Sequence, residues 1–122
     1  MEAGELTALS LCLSAGTVML VAVGFFMPRF IGDQPSAVIG IRTAATMATP
    51  QAWQVAHRVA APYLRRTGYV GTFGLALHLV VALVVGFGSI SSVVTAVVAF
   101  TVVTAMLVDA SLRGDRAARP WG

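Results

Sequence analysis

Three stretches of this chain, Leu6 to Met27, about Gly68 to Phe87 and about Ile90 to Val108, contain no Lys, Arg, Asp or Glu. At about 1.5 Å of rise per residue, each is long enough to cross the roughly 30 Å of hydrocarbon in a bilayer as a helix. That constraint outweighs local propensity. The third stretch is rich in Val and Thr and would favour a strand in water. In lipid, however, backbone amides must bond within their own segment, so helix is predicted. The remaining composition agrees: 57% of the residues are hydrophobic and 11% charged, against about 25% charged in a typical soluble domain. The 122 residues suit one domain. The expected fold is all-α, a single membrane domain over 1–122 with three transmembrane helices. The leader "MEAGE" is acidic and the first apolar run has 22 residues, so this segment is expected to be retained rather than cleaved as a signal peptide. Cys12, the single cysteine, has no internal disulfide partner and is read as a packing residue.

Charge placement predicts topology. All eight basic residues are Arg: five fall between the first and second spans and three after the third. The leader carries only Glu2 and Glu5, and the link "GFGS" between spans two and three is uncharged. In a three-span protein every Arg then lies on one side. Basic flanks stay in the cytoplasm, which puts the N-terminus outside and the C-terminus inside. The same pattern argues against a nucleic-acid partner, since the basicity marks membrane orientation. Spans two and three should form an antiparallel hairpin, with Gly86 and Gly88 ending one helix and Ser89 capping the next. Gly68, Gly71 and Gly74 suit close helix packing.

The polar segment 28–67 between the first two spans carries the most information. Pro28 is expected to end the first span, and "FIGDQP" reads as a turn. "SAVIGIRT" is ambiguous between a short helix and an extended piece, with Gly40 allowing a bend. Thr49-Pro50 has the form of a helix N-cap followed by a first helical position. A helix should run from there to about Ala61, where Pro62 kinks or interrupts it. Trp53, Ala56, His57, Ala60 and Leu64 share one face of that helix. An amphipathic cytoplasmic helix at the membrane interface, with Trp53 as its anchor, is one reading. The other gathers Arg42, Thr43, Thr46, Trp53 and His57 into a polar cluster, either tethering the segment to the bundle or binding an anionic group such as a lipid headgroup.

Two further polar residues stand out. His78 lies within span two, shares a face with Gly71, Gly74 and Ala82, and is expected to point into the bundle. Its default partner is a Thr or a carbonyl on another helix, with Thr95, Thr101 and Thr104 as candidates. A proton-relay or ligand role is the alternative. Asp109 ends span three and is expected to pair at the interface with Arg65, Arg66 or Arg113. A link from Asp109 to Arg42 or His57 is the lesser alternative. No catalytic triad, phosphate loop, carboxylate cluster or metal-ligand spacing is present in the sequence. A non-enzymatic protein with no cofactor and no metal is therefore expected.

"GIRTAATMATPQAWQVAHRVA" resembles the SdpI family of small bacterial membrane proteins, named for an immunity protein against a secreted toxic peptide. Gly40, Ile41, Arg42 and Thr43 match the family's "GIRT" block, and Thr46, Trp53 and His57 match the residues that follow it. Ser36 stands where the family has Asn, and Ala44 where it has Pro after "GIRT". The resemblance covers nearly the whole chain. It implies a protein of the bacterial plasma membrane with an immunity or signalling role, binding or sensing a toxic peptide or a membrane perturbation. A peptide toxin, a cytoplasmic regulator and membrane lipids are the partners this suggests. An accessory subunit packed on a larger membrane complex is the alternative, and a transporter, which would need several copies to enclose a path, ranks behind both.

Overall fold

The computed structural model describes residues 1–122, and its long elements are three helices: α1 (Ala3–Phe30), α3 (Pro50–Val85) and α4 (Ile90–Ala118). A single-turn helix, α2 (Ala44–Met47), and a 3-10 turn, Arg119–Trp121, complete the set. All three long helices are apolar enough to cross a membrane, so the Val- and Thr-rich third run is helical, as the lipid argument requires. Only 24 of 122 residues are buried, while Met19, Phe73, Leu83, Val84 and Ile90 are each more than 70% exposed. Such a surface is stable only where the surrounding solvent is hydrocarbon.

α3 and α4 form the antiparallel hairpin that the short link predicts. Gly86 ends α3 at φ 98°, a backbone conformation costly for any residue with a Cβ, and its N–H bonds to the Ala82 carbonyl. Ser89 caps α4, its hydroxyl accepting from the Ser92 N–H at 3.1 Å. α1 lies against both partners of the hairpin. Its seam with α3 is built on missing side chains. A Cβ at Gly24 would lie 2.7 Å from the Leu64 carbonyl oxygen, one at Gly68 would enter the Phe25 ring, and one at Gly71 would collide with Val21. Gly74 faces Ala99 of α4 instead. This is the close approach that small residues permit in lipid, where no hydrophobic force between helices holds them together.

Two proline expectations need correction. α1 continues through Pro28 to Phe30, and α3 is one uninterrupted 36-residue helix with Pro62 inside it. A proline removes one helical hydrogen bond. At Pro28 this falls within the last turn of α1. At Pro62 the proline and Arg58 are both exposed, so the carbonyl left without a partner sits at the surface. The expected amphipathic helix over 50–61 is thus the first three turns of α3. Its apolar face is covered by protein: Ala52, Trp53, Ala56 and Ala60 are fully buried. Cys12 is also corrected, because it is exposed on the outward face of α1.

α3 is about 54 Å long at 1.5 Å per residue, well beyond the hydrocarbon thickness. The bundle therefore projects past the membrane at one end. Gly88 packs on the Ala3 carbonyl and the Thr7 hydroxyl, which puts the α1 N-terminus beside the hairpin link. The opposite end carries the close of α1, the start of α3 and the close of α4, and with them all eight Arg. The segment 31–49 folds over this Arg-bearing end.

Candidate functional site

Segment 31–49 is closed over the bundle end by backbone and side-chain bonds, and Gly40 is its pivot. Gly40 has φ 116°, and a Cβ there would lie 2.5 Å from Trp53 Cη2 and 2.9 Å from His57 Nε2. Only glycine satisfies both the backbone and the space. The next residue, Ile41, donates its N–H to His57 Nε2 at 2.8 Å. His57 Nε2 therefore accepts, and Nδ1 donates its proton to the Trp53 carbonyl at 2.7 Å. The two bonds fix a neutral imidazole in a single tautomer. Burial pushes the His57 pKa below its ordinary value, and the bond to the Trp53 carbonyl opposes part of that effect.

Trp53 is fully buried. Its ring centroid lies 4.1 Å from that of His57, and its Nε1–H donates to the Gly32 carbonyl at 3.0 Å. From the next residue of the same helix, the Gln54 side chain donates to the Asp33 carbonyl at 3.0 Å. The reading of Trp53 as a membrane anchor is therefore replaced. It holds the chain leaving α1 onto α3, and its one polar atom is used in doing so.

Thr43 and Thr46 make a reciprocal cap at the start of α2. The Thr43 hydroxyl accepts from the Thr46 N–H at 3.2 Å, and the Thr46 hydroxyl accepts from the Thr43 N–H at 2.9 Å. The Thr46 hydroxyl then donates to the Ile41 carbonyl at 2.6 Å. The Thr43 hydroxyl donates across to Asp115 of α4 at 2.5 Å. That bond, and then the Arg119 guanidinium at 2.9 Å, hold the Asp115 carboxyl below the usual carboxylate range. Ala44 is the first residue of α2, a position that suits proline. The Ser36 hydroxyl accepts from the N–H groups of Val38 and Ile39 at 3.2 and 3.3 Å, the local turn that an Asn side chain also forms. Thr49 caps α3 and donates to the Trp121 carbonyl at 2.7 Å. The latch is thus tied to α3, to α4 and to the C-terminal turn.

Of the proposed cluster, Gly40, Thr43, Thr46, Trp53 and His57 come together. Arg42 does not join them: it is exposed, and its guanidinium has no partner in the chain. Asp109 pairs with Arg113 at 2.8 Å, one of the expected partners. Arg113 also bonds the Tyr63 hydroxyl at 3.2 Å and lies over its ring. Asp109 has no bond to Arg42 or His57; Asp115 makes the link between α4 and the motif. Sequence reasoning missed Asp115. The available signal was Asp115 and Arg119 at i, i+4 spacing beyond the apolar run. Gly114 was missed too: a Cβ there would lie 2.9 Å from the Ile41 side chain.

His78 points into the bundle, as its helical face predicts, but at the hairpin end. It is 3% exposed. Its Nδ1 lies 3.0 Å from the Ser92 carbonyl and 3.1 Å from the Thr95 hydroxyl. Its Nε2 lies 3.2 Å from the Ser10 hydroxyl, which is itself 3.1 Å from that of Ser92. Thr95 was among the expected partners. The Ser92 carbonyl is a partner of the expected kind, on another helix, whereas the Ser10 and Ser92 hydroxyls were not expected, although each residue is fully buried within an apolar run. This node joins all three long helices, whereas Thr101 is exposed and Thr104 bonds back to the Phe100 carbonyl.

Beside the latch, a cleft of about 250 Å³ opens between the end of α1 and the start of α3, lined by Asp33 and Arg58 among others. A family model described as the SdpI/YfhL protein family matches residues 34–108 of the chain, from the segment before Gly40 to the apolar part of α4. No curated protein and no solved structure matches it.

Proposed function

The chain belongs to the SdpI/YfhL protein family, and from that premise we propose that it is an immunity-type membrane protein. It binds a toxic peptide, or registers the disturbance the peptide makes in the bilayer, and presents that state at its Arg-bearing end. It lies in the bacterial plasma membrane with that end in the cytoplasm, because translocating eight guanidinium groups is strongly unfavourable. Its role is binding rather than catalysis. The observation that carries the reading is the division within the motif. Gly40, Thr43, Thr46, Trp53 and His57 are consumed in holding the latch together, whereas Arg42 stands exposed on that latch with nothing to bind. A planar fork of donors held at a fixed place suits a carboxylate or a carbonyl cluster on a partner.

The test compares cells lacking the protein with cells carrying the wild type or Arg42→Ala, each challenged with membrane-active peptides. Deletion sensitises the cells to at least one peptide. Arg42→Ala repeats that defect at normal membrane levels, because Arg42 contributes no bond to the fold. Full protection by Arg42→Ala, or no sensitivity to any peptide after deletion, refutes the reading. The accessory-subunit alternative is favoured by an apolar groove between α3 and α4, floored by Gly74 and Ala99 and lined by Phe73, Leu77 and Val98. It predicts stoichiometric co-purification with a larger complex in mild detergent.

A further inference from the structure

The level of the cleft relative to the membrane follows from the helices. Glu5 is the last charge before the apolar run of α1, and twenty residues beyond Leu6 reach Phe26, about 30 Å along the axis. On α3, twenty residues counted back from Val84 reach Leu64, directly before Arg65 and Arg66. The two counts agree in space, since Gly24 of α1 packs on the Leu64 carbonyl and on the Gly68 N–H. The edge of the hydrocarbon therefore lies near Phe26 and Leu64. The cleft starts at that edge. Pro28, Ile31, Ala61 and Leu64 give it an apolar floor, and Asp33 and Arg58 stand in its wall. Arg58 is six residues beyond Leu64, about 9 Å along the axis, at the outer margin of a headgroup layer about 5–7.5 Å deep and within reach of it for a long side chain.

Most polar groups in the cleft are already in use. Both His57 nitrogens are bonded, and the Gln54 amide donates to the Asp33 carbonyl. The Arg58 guanidinium and the Asp33 carboxylate remain. Both residues are exposed, and neither side chain has a hydrogen bond or an ion pair. They form no ion pair with one another, so an unpaired cation and an unpaired anion share a cleft whose apolar lining adjoins the hydrocarbon edge. A ligand complementary to it has a phosphate for Arg58, an ammonium for Asp33 and acyl chains that leave along Pro28 and Leu64. We propose that the cleft is a binding site for an aminophospholipid, the phosphatidylethanolamine class. A lipid whose headgroup carries only negative charge gains Arg58 but meets the Asp33 carboxylate. The proposal needs only that the chain spans a membrane, and stands apart from the immunity reading.

Trp53 provides the readout, because its indole bonds to Gly32 in the cleft wall. With Trp121→Phe it is the single tryptophan. The full chain in detergent is titrated with brominated phosphatidylethanolamine or brominated phosphatidylglycerol of equal chain length, and quenching of Trp53 is followed. Phosphatidylethanolamine binds about fivefold more tightly, the discrimination one partly exposed charge contact supplies. Asp33→Asn removes that preference by strengthening phosphatidylglycerol binding, and Arg58→Gln weakens both lipids. Each substitution replaces an exposed, unbonded side chain, and an unchanged unfolding midpoint verifies that the fold is intact. Equal affinity of the two lipids for the wild type, or a preference that survives Asp33→Asn, overturns the proposal. Displacement by soluble glycerophosphoethanolamine at the affinity of the lipid also overturns it, because the apolar floor would then contribute nothing.

Discussion

Replacing Gly40 with Ala tests the latch at its pivot. Two penalties add. At φ 116° a residue with a Cβ sits in a left-handed conformation that is unfavourable by about 1–2 kcal/mol. The methyl group would also lie 2.5 and 2.8 Å from Trp53 ring carbons and 2.9 Å from His57 Nε2. The ring cannot swing aside, because Trp53 is fully buried and its Nε1–H is tied to Gly32. The backbone of residues 40 and 41 must move instead. That breaks the bond from the Ile41 N–H to His57, and leaving buried partners unpaired contributes about 1–3 kcal/mol more. The sum is a destabilisation of about 2–5 kcal/mol, a large share of the roughly 5–15 kcal/mol that holds a typical domain folded. The assay is unfolding by sodium dodecyl sulfate in mixed micelles, followed by Trp53 emission with Trp121→Phe as the background. Trp121 is 54% exposed, and only its carbonyl is used by the fold. Gly40→Ala should lower the midpoint and shift the emission to the red as Trp53 meets water. A loss under about 1 kcal/mol with unchanged emission refutes the account of Gly40 as the pivot.

Three further outcomes follow from the same latch. His57 has a folded pKa below its ordinary 6.5, so the unfolded chain takes up the proton first. Its contribution is complete above pH 6.5 and is lost as pH falls from there towards the folded value; amide exchange over 40–46, corrected for its intrinsic rate, should quicken between pH 7 and 5. Asp115, held below its ordinary 3.8 chiefly by the Thr43 hydroxyl and then by Arg119, keeps its contribution through that window and loses it only as pH falls below about 3.8, so Thr43→Val should weaken a separate acid step in the same exchange experiment, with Arg119 sustaining the remainder. Ala44→Pro should raise stability by about 0.4–1 kcal/mol in the detergent unfolding assay, since Ala44 is the first residue of α2 and Thr43 before it is already extended at φ −90°, ψ 166°.

The spans, the hairpin turn and the start of α3 were legible because each rests on one-dimensional chemistry: uncharged length, Gly at a helix end, Thr followed by Pro. The fate of Pro28 and Pro62 was not. Whether a proline breaks a helix depends on where the carbonyl it frees ends up: at Pro28 this falls in the last turn of α1, and at Pro62 it lies at the surface. The cluster was half legible. Residues three and four apart on α3 put Trp53 beside His57, and the Gly40 block adjoined them in the sequence. Asp115 arrives 72 residues after Thr43, and no spacing rule reaches that far. His78 shows the same limit: its helical face gave its direction, but Ser10 lies 68 residues away in a run whose apolar character concealed it.

That separation between local and distant contacts bears on what the motif does. A residue with all of its polar atoms bonded inside the fold has none left for a partner, and substituting it changes the fold before it changes recognition. His57 is such a residue, with both nitrogens bonded, and so is Trp53. Thr46 is fully buried. On the proposed immunity reading, losses of protection at these positions should come with losses of stability or membrane level. Arg42 and Arg58 are different: they are exposed and unbonded on elements that the latch holds still. The latch fixes the backbone from which each of these side chains extends, and the guanidinium itself stays free to turn towards a partner. The motif is better understood as scaffold than as site, since Arg42 is the one polar side chain among its matched residues that the fold leaves unbonded.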